Sequence, residues 1–279
     1  MIVIADPNEM RAWSRQQRRD GKSIGFVPTM GALHEGHASL MRAASDANDV
    51  GIASIFVNPA QFAPHEDFAA YPRTFEADSA MCEACGIQAI YAPKAADVYP
   101  QGYATYVTVE ALDRVLCSRS RPHFFRGVAT VVCKLFNVVE PDRAYFGQKD
   151  AQQCTIIKRM ARDLDFAIEI VEMPIVREPD GLAMSSRNKY LTGDERVRAL
   201  CISRGLGKAQ SLLDAGERNA ATLVDAVRAE MQHEQIDYVE LVDAETLEPL
   251  DTVRGTILLA AAAQIGKARL IDNIKYKVA

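Results

Sequence analysis

Apolar residues in this chain keep two different rhythms, and their order predicts the architecture. Short apolar runs at 23–28, 50–57, 89–91, 143–146 and 167–171 read as strands. Between them, apolar positions recur at helical spacing over 36–47, 74–85, 127–139 and 151–163. Leu40, Met41, Ala44 and Ala47 mark one such helical stripe, and Asp150 stands where the helix at 151–163 needs an N-cap. Strand and helix in alternation build parallel βαβ units. Their polar and glycine-bearing loops gather at the carboxyl edge of one sheet, where doubly wound folds bind ligands.

The rhythm changes past residue 176. A capping box, Thr192 with Glu195 three residues on, opens a helix over 192–215, and a second helix covers 221–232. Runs at 236–242, 256–263 and 267–273 are strand-like. The expected fold is α/β: a Rossmann-like doubly wound parallel sheet over residues 1–176, then a smaller C-terminal α+β domain over 177–279. A hinge is expected in the charged loop Arg177-Glu178-Pro179-Asp180-Gly181, which Pro and Gly punctuate.

Composition narrows the function without defining it. A chain of 279 residues that is 48% hydrophobic can bury two unequal cores. Lys plus Arg number 32 against 37 Asp plus Glu, a net charge of −5 with no long basic run, so nucleic acid is not an expected partner. No apolar stretch reaches the roughly 18 residues of a membrane span. The start Met1-Ile2-Val3-Ile4-Ala5-Asp6 turns acidic before a signal-peptide core could form, so a soluble cytoplasmic protein is expected. Cysteines at 82, 85, 117, 133, 154 and 201 lack the density of a disulfide scaffold and should be reduced thiols. Cys82 and Cys85 fall inside the helix at 74–85 without a second ligand pair, which favours packing over metal binding.

The richest chemistry lies in Pro28-Thr29-Met30-Gly31-Ala32-Leu33-His34-Glu35-Gly36-His37, which leads from a strand through a turn into a helix. Gly31 and Gly36 let the backbone approach a ligand, the helix start offers N–H groups to an anion, and His34 and His37 add ring donors. A metal or surface pair is the other reading of His-x-x-His. Its place at a strand-to-helix turn favours phosphate. Lys149, in a loop after an apolar strand, can meet phosphate as a point charge, and Ser185, Ser186 and Arg187 add hydroxyls and a guanidinium on a loop expected to be mobile. Gln61 and Gln153 offer amides that donate and accept at once.

His34-Glu35-Gly36-His37 resembles the His-x-Gly-His signature of the nucleotidylyltransferase superfamily, and the whole string from Pro28 resembles the pantothenate synthetase family. That resemblance extends in order through Ser54-Ile55-Phe56-Val57-Asn58-Pro59-Ala60-Gln61-Phe62, Tyr71-Pro72-Arg73 and Phe125-Arg126-Gly127-Val128. It continues through Phe146-Gly147-Gln148-Lys149-Asp150 and Gly181-Leu182-Ala183-Met184-Ser185-Ser186-Arg187-Asn188 to Arg269-Leu270-Ile271-Asp272-Asn273.

The resemblance implies a ligase that condenses pantoate with β-alanine through a pantoyl-adenylate, consuming ATP and releasing AMP and pyrophosphate. It implies a homodimer, and Mg2+ carried on the ATP phosphates with Asp150 as a candidate for the metal shell. ATP would lie along Met30, Gly31, Ala32, Leu33, His34, Glu35, Gly36 and His37. Gly147, Gln148, Lys149, Asp150, Val176, Met184, Ser185, Ser186 and Arg187 would complete its binding set. His37 would sit nearest the developing charge, with His34, Lys149, Ser186 and Arg187 as stabilisers. Gln61 and Gln153 would bind pantoate, Gln61 would also approach β-alanine, and Asn58 would contact substrate beside it.

Two other classes remain open: transfer of a whole nucleotide onto a phosphorylated acceptor, and ATP binding without turnover. The chain also departs from the family pattern. Phe124 stands where the family reads His, with His123 one residue earlier, and Cys117 replaces a frequent acidic residue. Neighbours on an extended segment point to opposite faces, so position 124 is expected to pack rather than to be served by His123.

Overall fold

The computed structural model describes residues 1–63 and 68–278, which form two compact units. The first comprises Met1–Asp113, Arg121–Gly147 and Ile156–Met173; the second comprises Arg114–Ser120, Gln148–Thr155 and the chain from Pro174 onward.

In the first unit six parallel strands form one sheet: β1 (Ile2–Ile4), β2 (Ile24–Thr29), β3 (Val50–Ile55), β4 (Ala89–Tyr91), β5 (Arg143–Gly147) and β6 (Glu169–Met173). Their spatial order is β1-β4-β3-β2-β5-β6, so the winding reverses between β2 and β5. The helices are α1 (Pro7–Arg19), α2 (Glu35–Ala47), α3 (Phe75–Ala84), the single turns α4 (Ala95–Val98) and α5 (Cys117–Ser120), α6 (Phe124–Val139) and α7 (Ala151–Asp163). Of these, α5 and the first turn of α7 belong to the second unit. Ile24, Phe26, Ile52 and Ile90 are wholly buried, as strands covered on both faces must be.

The reversal is also where the sheet opens. Ile24 turns its N–H and C=O toward the β5 side, where Asp142 meets both, so Phe26 and then Pro28 face β5 as well. Pro28 has no N–H to give. Pairing of β2 with β5 accordingly stops at Gly25↔Arg143 and Phe26↔Ala144, whereas pairing with β3 continues to Thr29↔Ile55.

The second unit carries an antiparallel sheet of β7 (Gln235–Asp243), β8 (Thr256–Ile265) and β9 (Ala268–Lys277). Helices α8 (Gly193–Asp214) and α9 (Ala220–Glu230) share its core, where Leu206, Leu213, Leu223, Val227, Ile257 and Leu259 pack together. The capping box at the start of α8 forms as expected, with Thr192 N–H donating to Glu195 Oε2 at 2.8 Å.

Most expected elements are present with shifted ends. Sequence reading passed over β1 and α1, although Asp6 caps α1 through the Asn8 and Glu9 N–H groups and Pro7 follows it, a legible start signal. Helix α6 begins at Phe124 rather than at Gly127, because that glycine lies inside the helix against the 58–61 turn. Asp150 ends a 3-10 turn (Gln148–Asp150) that runs straight into α7, so a turn rather than a side-chain cap leads into this helix.

Close packing of α2 on β2 makes Gly25 a stability test. A Cβ there would meet Asn48 Nδ2 at 2.5 Å and Ala44 O at 2.9 Å. Asn48 cannot yield, since its amide bonds Ala44 O at 2.8 Å and the Tyr145 hydroxyl at 2.9 Å. Gly25→Ala should therefore cost about 1–3 kcal/mol, read as a lower urea midpoint at unchanged slope.

Candidate active site

Beyond β2 the backbone enters the left-handed region twice in succession, at Gly31 (φ 81°) and Ala32 (φ 51°). Gly31 does this freely, whereas at Ala32 it costs roughly 1–2 kcal/mol. A buried carboxylate holds the turn there. Asp78 of α3, 3% exposed, accepts from Ala32 N–H at 3.0 Å, Leu33 N–H at 2.8 Å and the Thr74 hydroxyl at 3.2 Å. A Cβ on residue 31 would lie 2.9 Å from that carboxylate, so glycine is required twice over. Sequence reading missed Asp78; an acidic residue inside an amphipathic helix was its only signal.

The turn delivers His34 to the N-cap of α2. His34 Nδ1 accepts from Gly36 N–H at 3.1 Å, and His37 Nδ1 accepts from His34 N–H at 3.3 Å. Backbone N–H groups can only donate, so each ring carries its proton on Nε2. The rings stand 4.1 Å apart, centroid to centroid. Gly36 N–H is thus engaged within the turn and is not left open to an anion as expected. Glu35 turns outward to pair with Arg42, leaving only its backbone in the turn.

A second cluster of the same unit surrounds Gln61. Asn58 is wholly buried, and its Nδ2 donates to Gln61 Oε1 at 2.9 Å and Gly127 O at 3.1 Å. Its Oδ1 accepts from the Tyr99 hydroxyl at 2.8 Å and Ala60 N–H at 3.3 Å. Asn58, expected to touch substrate, has its amide engaged with protein at both ends. Gly127 is glycine for packing, since a Cβ there would lie 2.2 Å from Ala60 O. Arg121 Nη2 donates to Gln61 O at 3.1 Å, with its guanidinium 3.9 Å above the Phe124 ring. His123 is exposed, and its side chain does not cap α6. Arg126 is also exposed, with its guanidinium 3.8 Å over Tyr106.

In the second unit, β9 anchors the loop that follows β5. Asn273 Nδ2 donates to Gln148 O at 2.9 Å and Lys149 O at 3.1 Å, and Gln148 Nε2 returns a bond to Asn273 Oδ1 at 3.2 Å. Lys149 Nζ lies 3.9 Å from the Asp150 carboxylate. Of two adjacent glutamines, Gln152 is buried and braces Val115 O at 2.8 Å and Cys117 N–H at 3.1 Å, while Gln153 stays half-exposed.

The expected hinge is a tight hairpin. Met184 N–H bonds Val176 O at 3.0 Å and Glu178 N–H bonds Leu182 O at 2.8 Å. Asp272 clamps Arg177 at 2.6 and 3.0 Å, and Arg196 pairs with Glu178 at 2.6 Å, holding that carboxyl below the usual range. Ser186–Tyr190 then form a 3-10 turn capped by Ser185, whose Oγ accepts from Arg187 N–H at 3.2 Å. Buried Asn188 ties that turn to Glu178 at 2.7 Å.

Cys82 and Cys85 lie in the α3 core, where burial pushes the Cys82 thiol up to about 12 and raises Cys85 as well. Such thiols pack rather than react. Among the described residues no cluster of three or more His, Cys, Asp or Glu could cage a metal. Asp150, exposed beside Lys149, is the one carboxylate of this loop that would suit a Mg2+ ion, with no all-protein cage around it. Among the described residues no helix is long and apolar enough to cross a membrane.

A doubly wound sheet whose central strands stop pairing at the switch point, with two histidines at the start of the helix leaving that point, defines an α/β protein of the Rossmann-like class. The family model for pantoate–β-alanine ligase matches residues 2–275. The chain belongs to this family. It is 53% identical over 281 residues to the pantothenate synthetase of Heliobacterium modesticaldum, covering 100% of both chains. It is 56% identical over 272 residues to that of Moorella thermoacetica, covering 96% of each. The crystal structure of pantothenate synthetase from Thermus thermophilus superposes with a TM-score of 0.92 at 40% identity, covering 98% of this chain and 99% of that one. The Francisella tularensis ligase complexed with β-γ ATP and β-alanine gives a TM-score of 0.76 at 32% identity, covering 98% and 97%.

Two measurements test this geometry. Asp78→Asn keeps one acceptor but turns an NH2 on the second N–H, so it should cost about 1–3 kcal/mol in urea unfolding and speed amide exchange at Ala32 and Leu33. At the altered family position, Phe124→Ala should reduce turnover more than His123→Ala, which should stay within about tenfold of the parent, the scale of one ordinary hydrogen bond. A folded His123→Ala enzyme without turnover would make that imidazole a site residue.

Proposed function

We propose that the chain condenses pantoate with β-alanine in two half-reactions, consuming one ATP. A pantoate carboxylate oxygen attacks the α-phosphorus, the bond to pyrophosphate breaks, and pantoyl-adenylate forms. The β-alanine nitrogen then attacks the acyl carbon, the bond to AMP breaks, and the amine proton passes to solvent. The observation that carries this reading is the match of the whole chain to the ligase family, joined to the paired Nε2–H donors of His34 and His37. The Francisella relative's complex with ATP and β-alanine supports the same substrates.

In this reading His37 lies nearest the charge that rises on the α-phosphate, and His34, Lys149, Ser186 and Arg187 stabilise it. The backbone from Met30 to Gly36, together with Gly147, Gln148, Val176, Met184 and Ser185, holds the nucleotide. Gln61 and Gln153 bind pantoate, and Gln61 also approaches β-alanine. Mg2+ bound with ATP would offset triphosphate charge, and Asp150 is the residue that would join its shell. A homodimer in the cytoplasm belongs to the same reading, on resemblance to the family.

Incubation of ATP with pantoate, with and without β-alanine, should give pyrophosphate in a single turnover without the amine, and AMP with turnover only in its presence. A stable nucleotide conjugate indifferent to β-alanine would instead indicate nucleotidyl transfer. His37→Ala should fold normally and lose about 10² in adenylation rate, the usual loss for one donor at developing charge. Lys149→Ala should also weaken ATP binding, and Lys149→Arg should restore it poorly, because a planar fork does not replace a compact ammonium.

A further inference from the structure

We infer that Tyr99 is a positioning residue that braces Asn58, whose backbone partners fix the polarity of Gln61, so that Gln61 offers the acid substrate an N–H donor and never its carbonyl oxygen. This inference rests on the reading that Gln61 contacts pantoate.

The two ends of an amide are nearly the same shape, so only their partners define which end points where. For Asn58 two partners are backbone groups that cannot change role. Gly127 C=O can only accept, so the amide nitrogen faces it at 3.1 Å; Ala60 N–H can only donate, so the amide oxygen faces it at 3.3 Å. The second hydrogen on Asn58 Nδ2 is then directed at Gln61, 2.9 Å away, which must present Oε1. Gln61 Nε2 is left pointing elsewhere. It has no protein acceptor among the described residues, although the side chain is only 8% exposed. With the oxygen end of the amide already engaged by Asn58, the nitrogen end is the one left to meet an external acceptor.

Tyr99 supplies the shorter of the two bonds to Asn58 Oδ1, at 2.8 Å. Its ring is wedged between Phe56 and Tyr103, with centroids 6.5 and 5.1 Å away. Burial drives its ionisation well above the ordinary tyrosine range, so the hydroxyl remains a donor at every working pH. Gln61 is held at its backbone too, where Arg121 bonds its carbonyl. Rotation of the Gln61 amide would set two oxygens or two N–H groups face to face along this chain of contacts. The group it can recognise is therefore an oxygen lone pair, of a carboxylate or a hydroxyl.

Steady-state constants for pantoate and ATP separate the parts. Gln61→Ala should raise the pantoate KM and leave the ATP KM unchanged; an unaltered pantoate KM would remove Gln61 from the acid site and overturn the reading itself. Gln61→Glu keeps an oxygen for Asn58 but turns a second, charged oxygen on the substrate, so pantoate KM should rise about a hundredfold. Recovery of near-parental KM in Gln61→Glu, where Gln61→Ala is impaired, would overturn the polarity. Tyr99→Phe removes only the hydroxyl and should raise pantoate KM about three- to tenfold, with ATP KM, kcat and Tm unchanged. An unchanged pantoate KM in Tyr99→Phe would end its positioning role. In the parent enzyme the Gln61 side-chain NH2 resonance, assigned by its absence from Gln61→Ala, should shift when pantoate is added. A resonance that stays fixed while pantoate binds would overturn the donor assignment even if Gln61→Glu fails to fold.

Discussion

The chemistry of the first unit depends on a hydrogen bond that β2 cannot make. Its groups facing β5 are those of Ile24, Phe26 and residue 28, and residue 28 is proline. A central parallel strand normally pairs along both edges, and a proline there removes one ladder bond. Here the loss falls at the point where strand order reverses, so β2 and β5 part company while β2 stays zipped to β3. The turn bearing Met30 to His37 therefore leaves β2 where its β5 edge is no longer paired.

In each unit the loops would be free to move if nothing held them. What fixes them is a set of buried polar side chains whose partners are loop backbones or loop side chains. Asp78 grips Ala32 and Leu33, Asn58 grips Gln61 and Gly127, Asn273 grips Gln148 and Lys149, and Asp272 grips Arg177. All four are under 9% exposed. Burying such groups is tolerable only if each is satisfied, and satisfaction has few geometries, so these contacts specify position as well as contribute stability. Adjacent residues divide the labour: in Arg269-Leu270-Ile271-Asp272-Asn273 the two polar neighbours hold different loops, and of Gln152 and Gln153 only the first is buried.

The departures from the family pattern fit this scheme. Phe124 in place of histidine makes a platform for the Arg121 guanidinium, which in turn bonds the Gln61 carbonyl. A cation over an aromatic face gains on the order of 1 kcal/mol when partly desolvated, enough to hold a long side chain in one rotamer. At Cys117 the structure uses the backbone, whose N–H meets buried Gln152.

Sequence alone determined the alternation of strands and helices beyond residue 22, the capping box of α8 and the turn that carries His34 and His37. These are local matters: periodicity, capping and turn chemistry act over a few residues and leave their mark in them. It also marked Gln61, Gln153, Lys149, Ser186 and Arg187 as groups with suitable chemistry. Tertiary structure decided what those groups present. That Gly36 N–H is engaged by His34, that Asn58 stands behind Gln61, that Asp78 shapes a turn 46 residues away and that the 177–181 loop is a clamped hairpin all rest on how the folded backbone brings partners together. A hydrogen bond is directional, and its direction is set by where the partner lies in space, which no local pattern encodes.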